Sequence, residues 1–273
     1  MFLLAVLVDK ENKYMFISSE ELISWIGTYL WTLTRIAALF SVAPIFSSRN
    51  VPSKVKLGFA VLLTFVIAPT IPKAPMVEVF SGDMLLITLH QIIIGLAMGL
   101  SLQMIFGMFI IGGQVVAYQM GLGFSQMVDP QTGLQVPVIS QFYIVLLTLI
   151  FLAINGHLIM IEVLAESFVS LPISASGVTL DSMWHLVIWG GQMYLGGVKI
   201  ALPAIASILL INLTFGVVTR SAPQFNIFSV GFPITMVMGF LIMMITFSTI
   251  LPQVTAQIGN AFELMKFVAG GVP

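Results

Sequence analysis

The strongest constraint in this sequence is a long stretch without formal charge. Between Asp83 and Asp129 no residue carries a full charge, apart from the ambiguous His90. The whole chain is 59% hydrophobic and only 8% charged, whereas a soluble domain carries about 25% charged residues. Because a single soluble core cannot hold such a sequence, we predict an integral membrane protein.

Six apolar segments are long enough to be helical spans, since one crossing takes about 20 apolar residues. They are residues 22–46, 55–71, 84–118, 136–164, 184–218 and 228–258. Lipid leaves only helices and closed barrels, and the alternating pattern of a barrel is absent. We therefore predict helix throughout, in an all-α membrane domain covering residues 1–273. Several segments exceed one crossing, so some of the six should be broken.

The connecting loops suggest an orientation. The loop "SSRNVPSKVK" carries Arg49, Lys54 and Lys56, and the penultimate loop carries Arg220, whereas residues 162–181 are acidic only. Under the positive-inside rule, the first, third and fifth loops are cytoplasmic and both termini face out. This assignment assumes that every segment crosses the bilayer. Hydropathy measures burial from water, and partner subunits can also bury apolar helices outside the lipid.

Motifs of enzymatic chemistry are missing from the sequence. The chain has no cysteine, which excludes disulfides and thiolate sites. His90, His157 and His185 show neither an HExxH motif nor metal-ligand spacing. Glu162 and Glu166 form either a carboxylate pair or a helix end near water. We expect no enzyme, no cofactor and no metal, and the net charge of −1 gives no argument for nucleic acid.

Two cations fall inside apolar segments, where a charge is costly and therefore suggests a function. Arg35 lies deep in the first segment, which favours pairing or contact with backbone carbonyls. Lys199 in the fifth segment either extends to an interface or pairs with a carboxylate of another helix. Neither cation forms a relay with its sequence neighbours, so coupled ion transport has little support.

The stretch "FGMFIIGGQVVAYQMGLGFSQMVDPQTG" combines glycines with flexible and polar side chains. We predict that Gly112 and Gly113 break or kink the helix. Non-helical backbone at this depth is tolerated only beside protein or a water-filled cavity. The stretch should therefore lie against a lumen or another subunit. The alternative is a glycine-rich face that packs helices together.

A polar turn, "TRSAPQFN", separates the last two apolar segments. Arg220 sits where the incoming helix presents the negative end of its dipole. Pro223 ends or redirects that helix. Gln224 and Asn226 can satisfy backbone groups freed at the break and cap the next helix. Generic loop chemistry thus explains the residue types, but not why so many polar groups share one turn.

This turn also carries a resemblance. "ALPAIASILLINLTFGVVTRSAPQFNIFSVGFP" resembles the most distinctive segment of the FliR family of flagellar biosynthesis proteins, shared with the matching subunit of virulence type III secretion systems. "APIFSSRNVPSKVKLGFA", "GGQVVAYQMGLGFSQMVDPQTG" and "FLAINGHLIMIEVLAESFVSLP" are similar to further family segments in the same order. The resemblance covers nearly the whole chain and is closer to the flagellar branch.

The resemblance implies a subunit of the flagellar type III export gate. Family members join FliP and FliQ in a helical assembly that works with FlhB at the flagellar basal body. The assembly passes unfolded flagellar subunits across the bacterial inner (plasma) membrane. A loop of the family is thought to plug the closed channel, and by position it corresponds to residues 106–123. The implied plug residues are Phe106, Gly112, Gly113, Gln114, Tyr118, Gln119, Met120 and Gly121.

The polar positions of the matching loops are the expected subunit contacts. They are Arg49, Lys54, Asn155, His157, Arg220, Pro223, Gln224 and Asn226. Two other classes compete with the export gate. A small-solute transporter or channel requires an internal repeat and a midplane substrate site, and no convincing repeat relates the two halves. A membrane hydrolase requires a positioned nucleophile and base, which the sequence does not offer.

Overall fold

The computed structural model describes residues 4–8, 14–17, 19–48, 51–78, 81–129, 133, 135–221 and 227–271. In this part of the chain seven α-helices form the body of the protein. They are α1 Ser19–Val42, α2 Ser53–Ile67, α3 Gly82–Gln119, α4 Val138–Ala153, α5 Gly156–Ser170, α6 Leu180–Ser221 and α7 Ile227–Val268. A short 3-10 helix, Ala68–Thr70, extends α2.

The helical membrane architecture predicted from the sequence is confirmed. In the described residues four helices are long and apolar enough to cross a bilayer, namely α2 with its 3-10 extension, α3, α6 and α7. The α4–α5 pair is bent by 66° and counts as a fifth span if taken together. The fourth predicted segment is therefore broken, and the other five correspond to single helices.

The prediction of helix throughout is wrong at two places, where short antiparallel hairpins form. β1 Leu4–Val8 pairs with β2 Tyr14–Ile17 near the N-terminus. β3 Gln126–Val128 pairs with β4 Gln135–Pro137 between α3 and α4. Strands β1, β2 and β3 lie outside the six predicted segments, and β4 overlaps only the first two residues of the fourth; the backbone polar groups of these stretches pair across a hairpin instead of within a helix.

Helix α3 is the centre of the fold, with α1, α4, α6 and α7 packed around it. Its buried residues include Gln91, Gly95, Met98, Phe106 and Val116, which are spread along its length. Such a helix is apolar on every side because neighbours surround it. In the most apolar 18-residue window of α3, 61% of the residues are buried. In the corresponding windows of α6 and α7 the buried share is 17% each. The last two helices therefore leave most of their apolar surface uncovered.

Candidate functional site

The α3 helix runs without a break through Gly112 and Gly113, so the predicted break there is wrong. A Cβ atom at Gly113 would lie 2.5 Å from Cα of Ser140 in α4. A Cβ at Gly112 would lie 3.1 Å from the carbonyl oxygen of Gly197 in α6. The glycines therefore let three helix backbones approach closely, which was the alternative weighed for this stretch.

The helix ends at Gln119, six residues after Gly113, and is closed by a Schellman motif centred on Gly121. Gly121 has a positive φ of 76°. Its N–H donates to the carbonyl of Tyr118 (3.1 Å), and the N–H of Leu122 donates to the carbonyl of Ala117 (2.8 Å). This arrangement satisfies carbonyls left free at a helix end and favours glycine at the left-handed position. A glycine just past an apolar helical run is a stop signal that could have placed this end correctly.

The remaining residues of the predicted plug divide into two groups. Phe106 is buried, with its ring edge-on to Phe151 of α4 at 6.3 Å between centroids, so it belongs to the core. Gln114 and Gln119 are half-buried on the last turns of α3. Tyr118 is 60% exposed. Residues 106–119 are thus helical, and only the end of the predicted loop, from Met120, leaves the helix.

Met120 and Gly121 fasten the end of α3 to α7. Met120 is fully buried and contacts Gly239, where a Cβ atom would overlap its side chain. A Cβ atom at Gly121 would lie 2.8 Å from the ring of Phe232. These contacts hold the start of the following segment against the N-terminal half of α7.

Residues 120–128, which follow the end of α3, carry large apolar side chains that are mostly exposed. Phe124 is 100% exposed, and all three residues of β3 are exposed. Gln126 lies opposite Pro137, and Val128 lies opposite Gln135. Several large apolar side chains exposed close together in sequence, here Phe124, Met127 and Val128, indicate contact with another surface. This segment, rather than residues 106–119, is the candidate gate, and we call it the α3–α4 loop.

A buried arginine organises the opposite part of the core. The Nε of Arg35 donates to Oε1 of Gln91 in α3 at 2.8 Å. One Nη donates to the carbonyl oxygen and Oγ of Ser167 in α5, at 2.8 and 3.0 Å, and the other donates to the carbonyl of Leu171 at 2.9 Å. The ring of Phe168 lies 4.2 Å from the guanidinium carbon. The predicted contact of Arg35 with backbone carbonyls is therefore confirmed.

These bonds tie α1 and α3 to the C-terminal end of α5. Carbonyls at a helix C-terminus carry partial negative charge, which compensates a buried cation without a carboxylate. In the described residues Arg35 forms no ion pair. The end of α5 is fixed in turn to α7, because Oγ of Ser170 donates to the carbonyl of Ala269 at 2.7 Å. Arg35 therefore links α1 to α3 and to the end of α5, and Ser170 links that end to the residue that follows α7.

The predicted subunit contacts lie on separate elements. Lys54 is exposed in the first turn of α2. Asn155 has a left-handed backbone, with a φ of 58°, and sits at the bend between α4 and α5. His157 is half-buried two residues later. Arg220 is exposed in the last turn of α6, as expected for a cation at that end of the dipole.

The other four contacts, Arg49, Pro223, Gln224 and Asn226, lie outside the described residues. Ser221 is the last residue of α6. Glu162 and Glu166 are both exposed on α5. In the residues that the structure covers, no group of three or more acidic or histidine side chains could hold a metal ion.

Comparison with known proteins identifies the family. Residues 26–261 match the family described as bacterial export proteins, family 1. The chain is 38% identical to the flagellar biosynthetic protein FliR of Escherichia coli K12, over 94% of this chain and 98% of that relative. It is 37% identical to FliR of Pectobacterium carotovorum, over 91% and 95% of the two chains. For Bacillus subtilis FliR the identity is 29%, over 90% and 96%. The chain therefore belongs to the FliR family, whose members are components of the flagellar export apparatus.

Proposed function

We propose that this chain, together with homologues of FliP and FliQ, forms a gated channel that exports unfolded flagellar subunits across the inner membrane. Further partners in this proposal are FlhB, other export-apparatus components and the exported chains themselves. The complex would stand at the flagellar basal body, in contact with membrane lipid.

The uncovered length of α6 carries the proposal. Large exposed apolar side chains run along this helix from Leu180 to Val218, which spans about 57 Å at 1.5 Å per residue. The hydrocarbon core of a bilayer is about 30 Å thick. A tilt within the usual range of 0–40° still leaves a helix of this length longer than the core. Lipid alone cannot cover this face, so protein partners are needed for the remainder.

The α3–α4 loop is the element that we propose closes the channel at rest. The plug assigned by position to residues 106–123 shifts accordingly, because Phe106, Gly112 and Gly113 hold the helix packing together. Of the earlier plug residues, Tyr118, Gln119, Met120 and Gly121 stand at the base of this loop. Contacts between apolar and amide side chains are weak enough to separate when an exported chain passes. Ion pairs between charged side chains would hold the loop closed more strongly.

Co-purification tests this proposal. The chain would be expressed with the FliP and FliQ homologues of the same organism and purified through a tag on this chain alone. Its native mass would then be measured in mild detergent. We expect one large hetero-oligomer with a fixed stoichiometry. A stable monomer or homodimer that retains neither partner would restore the small-solute transporter as the better hypothesis.

A further inference from the structure

A groove of about 790 Å³ lies between α6 and α7, and its largely apolar lining also carries several charged and amide side chains. It is unusual in a chain with 8% charged residues, because its lining combines charged groups with amides. The polar groups that matter here are Asp181, Gln192 and Lys199 of α6, and Gln257, Asn260 and Glu263 of α7.

Lipid is a poor cover for this groove. Charged and amide groups are costly against hydrocarbon, whereas the far part of α6 exposes leucines such as Leu209 and Leu213. In the described chain neither Lys199 nor Glu263 has an ion-pair partner. Oδ2 of Asp181 lies 3.8 Å from Nε2 of His185, one turn along the same helix. The Asp181 side chain nevertheless remains largely exposed. The groove therefore presents unpaired charge and hydrogen-bonding capacity to whatever covers it.

The charges of the groove are separated by sign along its length. Asp181 and Lys199 are both on α6, and their separation in sequence corresponds to about 27 Å of helix. Glu263 lies toward the Asp181 end, because Phe267, one turn further along α7, has its ring 4.8 Å from the ring of His185, one turn after Asp181. The groove thus has an acidic end and a basic end, with amides between them.

We propose that the groove binds a helix from a neighbouring subunit of the export apparatus. That helix would place a carboxylate against Lys199 and a basic side chain between Asp181 and Glu263. A helix is the occupant because its backbone is already hydrogen-bonded, so it needs only side-chain matches with the groove. Opposite charges at the two ends set the direction and register of the partner. The inference rests on the proposed assembly with other subunits and adds a specific contact to it.

Charge reversal is the first test. Lys199→Glu brings a like charge against the partner's carboxylate, so we expect the recovery of partner subunits with the tagged chain to fall about tenfold or more. Lys266→Glu is the matched control, because Lys266 is exposed on α7 outside the groove lining. It should retain normal recovery.

The wild-type chain, purified in parallel, separates the two hypotheses. If it retains no partner, the proposed function itself fails. If it retains partners and Lys199→Glu retains them equally, only the groove assignment is overturned.

Protection of an introduced cysteine from labelling is the second test. The sequence contains no cysteine, so an introduced thiol is the only one that can react. The thiol of Asn260→Cys should react with a membrane-impermeant maleimide in the chain purified alone and be protected in the assembled complex. Equal labelling in both would mean that water covers the groove, which overturns the proposal. If Lys199→Glu does not accumulate in membranes, the neutral variant Lys199→Gln replaces it. Loss of partners with Lys199→Gln, together with thiol protection, supports the proposal, and retention of partners opposes it.

Discussion

At the scale of single residues, Arg35 shows how a buried charge is accommodated without a counter-ion. Its guanidinium makes four hydrogen bonds, to an amide, a hydroxyl and two carbonyls. The planar, forked donor geometry of arginine suits acceptors that approach from several helices at once. The cost of burying this cation is therefore offset by groups that only the folded chain brings together.

We predict that Arg35→Met lowers the stability of the purified chain by about 3 kcal/mol or more, because it removes the donors to the buried Oε1 of Gln91 and to the carbonyl of Leu171. Arg35→Lys should fall between wild type and Arg35→Met, since an ammonium cannot reproduce the fork. The thermal unfolding midpoint in detergent checks this, with Thr34→Ala, the half-buried neighbouring position whose hydroxyl bonds only within its own helix, as control. An unchanged midpoint for Arg35→Met would contradict the assigned role.

A second prediction at the scale of single residues concerns Gly113. Gly113→Ala should destabilise the chain, because the added Cβ would lie 2.5 Å from the backbone of Ser140 and must push α3 and α4 apart. Gly191→Ala in α6 is the control, since no atom lies within 4 Å of a Cβ there. Alanine in an open helical position should instead stabilise by up to about 1 kcal/mol. Equal unfolding midpoints for the two variants would refute the packing role of Gly113.

At the scale of elements, the α3–α4 loop combines a fixed base with an exposed tip. Met120 and Gly121 are fastened to α7 by their contacts with Gly239 and Phe232, whereas Phe124 projects freely. A displacement of α7 would therefore be transmitted to the loop. Pro233 lies inside α7 close to this contact, and a proline within a helix removes one backbone hydrogen bond. The arrangement suits the proposed gate, which would have to both seal the channel and move.

If the loop closes the channel, Phe124→Ala should make the assembled complex leak, because it removes the most exposed apolar side chain of the loop. The measurement is ion conductance of the purified complex in planar bilayers, without any exported chain. Phe65→Ala, a phenylalanine 63% exposed on α2, is the matched control and should leave the conductance low. Conductance equal to wild type for Phe124→Ala would assign the seal to another element.

At the scale of the whole molecule, the fold divides into a covered and an uncovered part. Helix α3 is enclosed by its neighbours, whereas α6 and α7 present long apolar faces. Contiguous exposed apolar surface of this extent marks contact with protein or membrane. The folded chain therefore needs partner subunits or lipid to cover α6 and α7. Assembly is therefore expected to stabilise the subunit, because partners bind its folded form.

Arg220 tests the contribution of the α6–α7 turn to that assembly. Arg220→Ala should reduce co-purification of partner subunits while leaving the amount of chain in the membrane fraction unchanged. The reason is that the exposed cation at the end of α6 offers hydrogen bonds to a neighbour but contributes little to insertion, which depends on the apolar spans. Immunoblots of the membrane fraction and of the tag-purified complex check both quantities. Full recovery of the complex would argue against a contact role for Arg220.

The sequence by itself determined the class of protein, the helical segments and the family. Apolar length and the lack of charge leave the backbone few alternatives in a membrane, so these features can be read from local pattern. It also indicated that Arg35 would either pair or contact carbonyls, and the structure shows the second. Tertiary structure decided the roles of the glycines, because glycine both weakens a helix and permits close packing. Gly113 could either break α3 or allow another helix to pack closely against it. The second is the case because Ser140 of α4, distant in sequence, lies against it. The groove between α6 and α7 likewise exists only once the two helices are side by side.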